Sequence, residues 1–264
     1  MKFADAGEDY PKARFVIFGI PHEDREMSFR AGARLAPNAI RDASYNYESY
    51  HFSSGMELSE AKIHDAGNFE LENGVEFIRR VVEDGKMPIA IGGAHSITPP
   101  LVSSIKGDFG VVILDAHMDF RKSYLGSPAS HACTARRIFE MLGEDRVVSA
   151  GIRSVSKEEM EEVEKYGFIY YGMNSIKNLE EKIPFEKIYL SIDMDVFDPS
   201  IAPGVSNPEP FGAGYEVFDF LKAISSRIIA MDVVEVCPPY DDGSAALLAA
   251  AAMREVIAWK ARQH

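Results

Sequence analysis

Residues 111–119 read VVILDAHMD, and residues 189–195 read YLSIDMD. Each is an apolar run that ends in aspartates two positions apart, and the first sets His117 between them. A continuous apolar run without polar alternation predicts a strand buried on both faces, the kind that belongs to a parallel sheet covered by helices. The same grammar extends outward in both directions. RFVIFG (14–19), MPIAIGG (87–93), RVVSAGI (146–152), FIYYG (168–172) and RIIAMDVVEV (227–236) read as further strands. Helical stretches fall at 32–44, where Pro37 opens a helix, and at 70–84, which Gly85 stops. Others begin in SITPPLVSSI and cover 133–142, 156–167, 214–226 and 243–261. Strands and helices alternate almost throughout, which predicts an α/β chain with a mostly parallel sheet and helices on both faces. No repeat, linker or low-complexity tract interrupts the pattern. One domain over residues 1–264 is expected, within the size an undivided α/β chain reaches.

Composition narrows the function. Apolar residues make up 46% and charged residues 26%, mixed along the chain, which excludes disorder. The net charge of −13 argues against a nucleic-acid partner and favours a small cationic one, although solubility alone accounts for it equally well. The longest apolar runs, 109–116 and AALLAAAAM at 245–253, are too short to span a membrane. MKFADAGEDYPKAR at the start has acidic residues and no apolar segment, so it does not read as a signal peptide. Cys133 and Cys237 form no disulfide framework, and a reducing, cytoplasmic setting is the expectation.

Ligands of such sheets sit beyond the carboxyl ends of the strands. The polar residues collected there are His95 in IGGAHS, Asp115, His117 and Asp119 in LDAHMD, Asp193 and Asp195 in SIDMD, and Glu235 in DVVEVCP. If the chain stays extended, Asp115, His117 and Asp119 share one side, as do Asp193 and Asp195. Carboxylates brought so close repel one another and lose hydration, and a bound cation removes both costs. Four aspartates and two histidines suit two divalent ions sharing bridging carboxylates. Manganese fits this oxygen-rich donor set better than Fe²⁺, Co²⁺ or Zn²⁺. A lone aspartate at a strand end is usually a turn or helix cap, but a cap explains only one of the three polar groups in DAHMD. His95 by itself also reads as a hydrogen-bonded core histidine. GGAHS lacks the lysine and spacing of a phosphate loop.

GGAHSIT (92–98), DAHMD (115–119) and SIDMDVFDPSIAP (191–203) together resemble the three signature regions of the ureohydrolases, the arginase/agmatinase family. FGIPHEDREMSFRAGARLAPNAIR (18–41), NPEP (207–210), VVEVCPPYD (233–241) and the terminal AALLAA helix extend the likeness nearly end to end. The resemblance is greatest to archaeal agmatinase-type members. It implies a three-layer α/β/α fold around an eight-stranded, mostly parallel sheet, a binuclear manganese centre, and hydrolysis of a guanidino group to urea. By position, one ion would take His95, Asp115, Asp119 and Asp193. The other would take His117, Asp115, Asp193 and Asp195, so that Asp115 and Asp193 bridge. The family also implies homotrimers or homohexamers.

The chain departs from the common pattern at Ala94, where an aspartate usually precedes the first histidine, and at Ala132, where a glycine usually follows His131. Glu23 stands where an aspartate is common and Ala36 where a glycine is. No presumed ligand is lost. Ala94 removes a carboxylate from behind the first histidine, which bears on metal affinity.

A guanidinium carbon is a poor electrophile and water a poor nucleophile, and two cations sharing a water address the second problem. The resemblance gives Asp119 the task of holding and passing a proton. It gives Glu235 the guanidinium nitrogens and His131 either proton shuttling or substrate binding. In FRKSYLGSPASHA (120–132), Ser130, His131 and Arg121 resemble the substrate loop. Arginase-like members carry an asparagine-rich loop there for an amino-acid head, and this stretch has no asparagine. The expected substrate is therefore agmatine, cleaved to putrescine and urea in polyamine biosynthesis. Arg121 and Lys122 keep open a carboxylate-bearing substrate, as for an arginase, a guanidinobutyrase or a formiminoglutamase. A zinc deacetylase-like enzyme and a non-catalytic homologue are the readings outside this class, and metal content per chain separates them.

Overall fold

The computed structural model describes residues 1–24 and 28–263. Residues 25–27, inside the loop compared above with the family's N-terminal loop, lie outside the described residues. The strands are β1 (Phe15–Gly19), β2 (Tyr50–His51), β3 (Met56–Glu57), β4 (Ile63–Asn68), β5 (Met87–Ile91), β6 (Gly110–Leu114), β7 (Val147–Ile152), β8 (Ile169–Gly172), β9 (Ile188–Asp193) and β10 (Ile228–Val234). The helices are α1 (Ala36–Ser44), α2 (Leu71–Glu83), α3 (Thr98–Ser103), α4 (Thr134–Leu142), α5 (Lys157–Tyr166), α6 (Glu216–Ile224) and α7 (Ser244–Arg262).

Eight strands form one sheet in the order β4-β1-β5-β10-β9-β6-β7-β8, with β2 and β3 making a separate small hairpin. Every pairing in the large sheet is parallel. β5 and β6 follow one another in the chain, yet the last two strands, β9 and β10, lie between them in the sheet. That insertion makes β5, β10, β9 and β6 the four central neighbours. Their ends are in step, with Ile91 opposite Val233, Val234 opposite Asp193, and Ile192 opposite Leu114. Such a reversal of strand order opens a crevice at the carboxyl edge. The residues that follow these four strands are the ones the sequence singles out.

Both faces of the sheet are dry. Ile17, Ile91, Leu114, Leu190 and Val233 pack against α1, α6 and α7 through residues such as Ile40, Phe220 and Met253. Val16, Phe18, Val111, Ile113 and Val147 pack against α2 to α5 through Phe77, Leu101, Ile138 and Val163. These are the three layers expected.

The seven strands and seven helices read from the sequence are present. The short β2–β3 hairpin is not among them, and β4 is the strand of the large sheet that the sequence concealed, because IHDAGN is neither apolar nor alternating; it lies at the sheet edge and is only partly buried. Asp65 in β4 serves α1 instead. Its two oxygens meet buried Arg41, with Nε 2.7 Å from Oδ2 and Nη2 2.9 Å from Oδ1. Cys133 and Cys237 are both free and buried, and burial pushes each thiol up to about 11. Among the described residues, no helix is long and apolar enough to cross a membrane.

Candidate metal centre and active site

β5 ends at Ile91 and the chain passes tightly beneath the 22–24 loop. A Cβ on Gly93 would lie 1.9 Å from the His22 carbonyl oxygen, so this approach needs glycine. The next turn begins with His95, which is fully buried. Its Nδ1 lies 3.2 Å from Asp115 Oδ2, 3.1 Å from Asp193 Oδ2 and 3.4 Å from Asp119 Oδ2. His117 Nδ1 lies 2.8 Å from Asp195 Oδ2 and 3.7 Å from Asp115 Oδ1. The structure therefore holds two His/Asp groups able to bind metal ions, one of His95, Asp115 and Asp119 and one of Asp115, His117 and Asp195. Asp115 belongs to both.

The route to this convergence differs from an extended strand. β6 stops at Leu114, and Asp119 takes a φ of +50°. Asp115 Oδ1 accepts the His117 N–H at 2.6 Å, and Asp195 Oδ1 accepts the Ala116 N–H at 3.0 Å. The carboxylates thus fold their own loop around themselves, and alternation along a strand does not aim them. Glu235 also sits at positive φ, +65°. A side chain in that region costs on the order of 1 kcal/mol, and here the strain is held at two residues of the candidate site.

Electrostatics test whether the group fits a cation. Burial, with Asp195 and Asp115 alongside, drives the Asp193 carboxyl well above its usual range. Burial and Asp115 push Asp119 up to about 6. Burial works the same way on Asp115, but the His117 and His95 imidazoles beside it outweigh burial and hold that carboxyl low. Burial opposes charge on both histidines, and the surrounding carboxylates outweigh it and raise each. Left to itself, this cluster keeps protons because it cannot carry all its negative charge. His95 Nδ1 and Asp115 Oδ2 are buried without a hydrogen-bond partner. Buried lone pairs facing one another across a shared space are satisfied by cations, so the residues fit divalent ions.

Behind His95 lies a buried network that the sequence did not disclose. His95 Nε2 is 3.1 Å from Ser191 Oγ, and Ser191 donates to Asp232 Oδ1 at 2.6 Å. Tyr189 and Thr98 donate to Asp232 Oδ2 at 2.6 and 2.9 Å. Ala94 is buried and supplies no carboxylate, whereas Asp232 supplies one through Ser191. Asp232 stands in the same MDVVE run as Glu235, but the run does not tell which face each residue meets.

The centre opens into a cavity of about 430 Å³ whose lining includes His117, Asp119, Asp193, Asp195, His131 and Glu235. Glu235 is buried; its Oε1 accepts the His95 N–H at 2.6 Å, while Oε2 lacks a well-formed partner beside the Ser206 hydroxyl. His131 is held by a residue the sequence reading passed over. Asp24 Oδ2 accepts the His131 N–H at 2.9 Å and faces its Nδ1 at 3.4 Å, while Oδ1 accepts Ser96 at 3.0 Å. Burial disfavours a charged His131, and Asp24, Glu235 and Asp119 outweigh it, so its pKa is raised. Arg121 lines the wall with its Nη2 3.0 Å from Glu159 Oε2 and its guanidinium over the Tyr124 ring. Ser130 is buried, accepts the Ala132 N–H, and is not among the described residues lining the cavity. Glu23 lies outside the lining as well and accepts the Gly32 N–H at 3.0 Å.

Comparison with known proteins follows the same lines. The model of the arginase family matches residues 13–258. The chain is 36% identical over 272 residues to an agmatinase of Pyrococcus horikoshii, covering 96% of this chain and 94% of that one. It is 35% identical over 244 residues to an N(1)-aminopropylagmatine ureohydrolase of Thermococcus kodakarensis, covering 85% and 83%. Among solved structures it resembles the agmatine ureohydrolase of Thermoplasma volcanium, at 38% identity and a TM-score of 0.94 over 99% of this chain and 94% of that one.

Proposed function

The chain belongs to the arginase family, and we propose that it hydrolyses agmatine to putrescine and urea at a binuclear manganese centre. The observation that carries this reading is the pair of His/Asp groups sharing Asp115, whose Asp119, His117 and Asp195 line a cavity together with Glu235. The names of the relatives and of the similar structure support the same chemistry.

In this reading His95, Asp115, Asp119 and Asp193 hold one ion, and His117, Asp115, Asp193 and Asp195 hold the other. When bound, the pair supplies a water acidified toward neutral pH and held for attack. Glu235 offers its free oxygen to the guanidinium nitrogens, keeping the planar group oriented and balancing its charge. Asp119 takes a hydrogen of the attacking water and returns a proton to the departing amine. His131, held by Asp24, relays protons at the cavity wall. Manganese is preferred over iron, cobalt or zinc because four of the six ligands are carboxylates. Homotrimers or homohexamers are the expected assembly, which sedimentation tests; a stable monomer at micromolar concentration would count against it.

The deciding assay measures release of urea from agmatine, N(1)-aminopropylagmatine, arginine and guanidinobutyrate, and of formamide from formiminoglutamate, by manganese-loaded protein. Agmatine should show the highest kcat/KM. Faster turnover of arginine defeats the agmatinase reading and leaves guanidino hydrolysis intact. Absence of product from every compound defeats both.

A further inference from the structure

The cavity wall carries a charge that the reaction does not use. Glu209, between Pro208 and Pro210, lines the cavity with its side chain about one third exposed. Its Oε1 accepts the Ser154 hydroxyl at 2.8 Å and lies 3.5 Å from His117 Nε2. His117 turns its other nitrogen, Nδ1, to Asp195. The Glu209 carboxylate therefore stands one imidazole width outside the acidic centre, on the wall of the same cavity.

The loop that carries it is clamped. Arg153 donates to the Glu209 carbonyl at 2.8 Å, the Pro210 carbonyl at 3.0 Å and the Asp195 carbonyl at 2.6 Å. One guanidinium thus ties the 207–210 loop to the end of β9, and flanking prolines restrict the backbone further. The Ser154 and His117 contacts of the carboxylate both fall on Oε1. No lysine or arginine side chain among the described residues pairs with it. Arg121, which lines the same cavity, is already taken up by Glu159 and Tyr124. Apart from its His117 contact, the cavity wall here presents a carboxylate on a rigid support, which suits a cation and repels a carboxylate.

We propose that Glu209 is the specificity-determining residue of this site and receives the ammonium tail of a guanidino substrate. The proposal rests on the guanidino-hydrolase reading and sharpens it: amine-tailed compounds are selected and carboxylate-tailed ones rejected by one side chain. A longer tail with a second ammonium is still accommodated because the carboxylate is partly exposed to solvent.

The test is Glu209→Gln in the full manganese-loaded chain, assayed against agmatine and guanidinobutyrate, with titration of putrescine by calorimetry as a readout independent of turnover. The expected result is a fall of about 10- to 100-fold in kcat/KM for agmatine, mostly through KM, with guanidinobutyrate unchanged or improved and putrescine binding weakened. A uniform loss of kcat on both substrates together with loss of manganese overturns the proposal, since Glu209 then only orients His117. If the unsubstituted protein turns over neither compound, the failure belongs to the proposed reaction and the putrescine titration decides alone. Weaker binding in the variant then supports the tail site, and unchanged binding overturns it.

Discussion

His117 Nδ1 stands 2.8 Å from Asp195 Oδ2, joining residues 78 apart in the chain. The contact exists because β9 is inserted beside β6, so that the loop after one strand closes on the loop after the other. Asp115 sits at the seam, within reach of both histidines. Replacing it by alanine should empty both metal positions and abolish urea release. His95→Ala and His117→Ala should each weaken mainly one ion. Manganese content after dialysis, measured on the three variants, checks this; two tightly held ions in Asp115→Ala would defeat the shared-ligand assignment.

Much of this arrangement could be read from residue types and spacing. DAHMD and SIDMD end buried strands, and nothing in a packed core explains aspartates repeated there. Their convergence needed the order of strands in the sheet, which periodicity does not carry. The outer partners were hidden for a different reason. Asp24, Ser191 and Asp232 act on His131 and His95 from other segments, and single polar residues in a loop or strand resemble many others of no consequence. β4 escaped because IHDAGN, at the sheet edge with Asp65 turned inward, has no apolar run to betray it. Glu209 was visible only as part of NPEP, and its meaning depends on Arg153 and Ser154, residues more than fifty positions away.

The Ser191–Asp232 pair should tune metal affinity without touching substrate. Ser191 stands between His95 Nε2 and the Asp232 carboxylate, so Asp232→Asn weakens the acceptor that orients the imidazole. The expected effect is about 10- to 100-fold weaker binding of one ion. Urea release should recover at high manganese, and manganese titration of Ser191→Ala and Asp232→Asn reads it. Unaltered affinity in both variants would show that the network serves packing alone.

The Arg41–Asp65 pair concerns stability. Both side chains are inaccessible to solvent, and Asp65 also accepts the Phe3 and Gly67 N–H groups. Asp65→Ala leaves a buried guanidinium without its counterion and should cost about 3–5 kcal/mol. Replacing both partners by leucine should recover a large part of that loss, because no unpaired charge remains. Denaturant midpoints of the single and double variants test this, and a double variant no more stable than Asp65→Ala would contradict it.

The last prediction concerns pH. Burial lowers the affinity of His131 for a proton, but Asp24 and the acidic groups of the cavity reverse the balance, so the imidazolium persists above its ordinary range. Asp24→Asn keeps the hydrogen-bonding shape and removes the charge nearest to Nδ1. The pKa of His131 must then fall, and the imidazolium is lost at lower pH than before. If His131 delivers a proton during turnover, the alkaline limb of the kcat profile should move down by about one unit or more. If it only holds substrate, KM should rise while the profile keeps its position. Asp24→Ala separates charge from support, since it also releases the backbone N–H of His131 and should lower kcat at every pH. A profile unmoved in Asp24→Asn, with KM unchanged, would remove His131 from both roles.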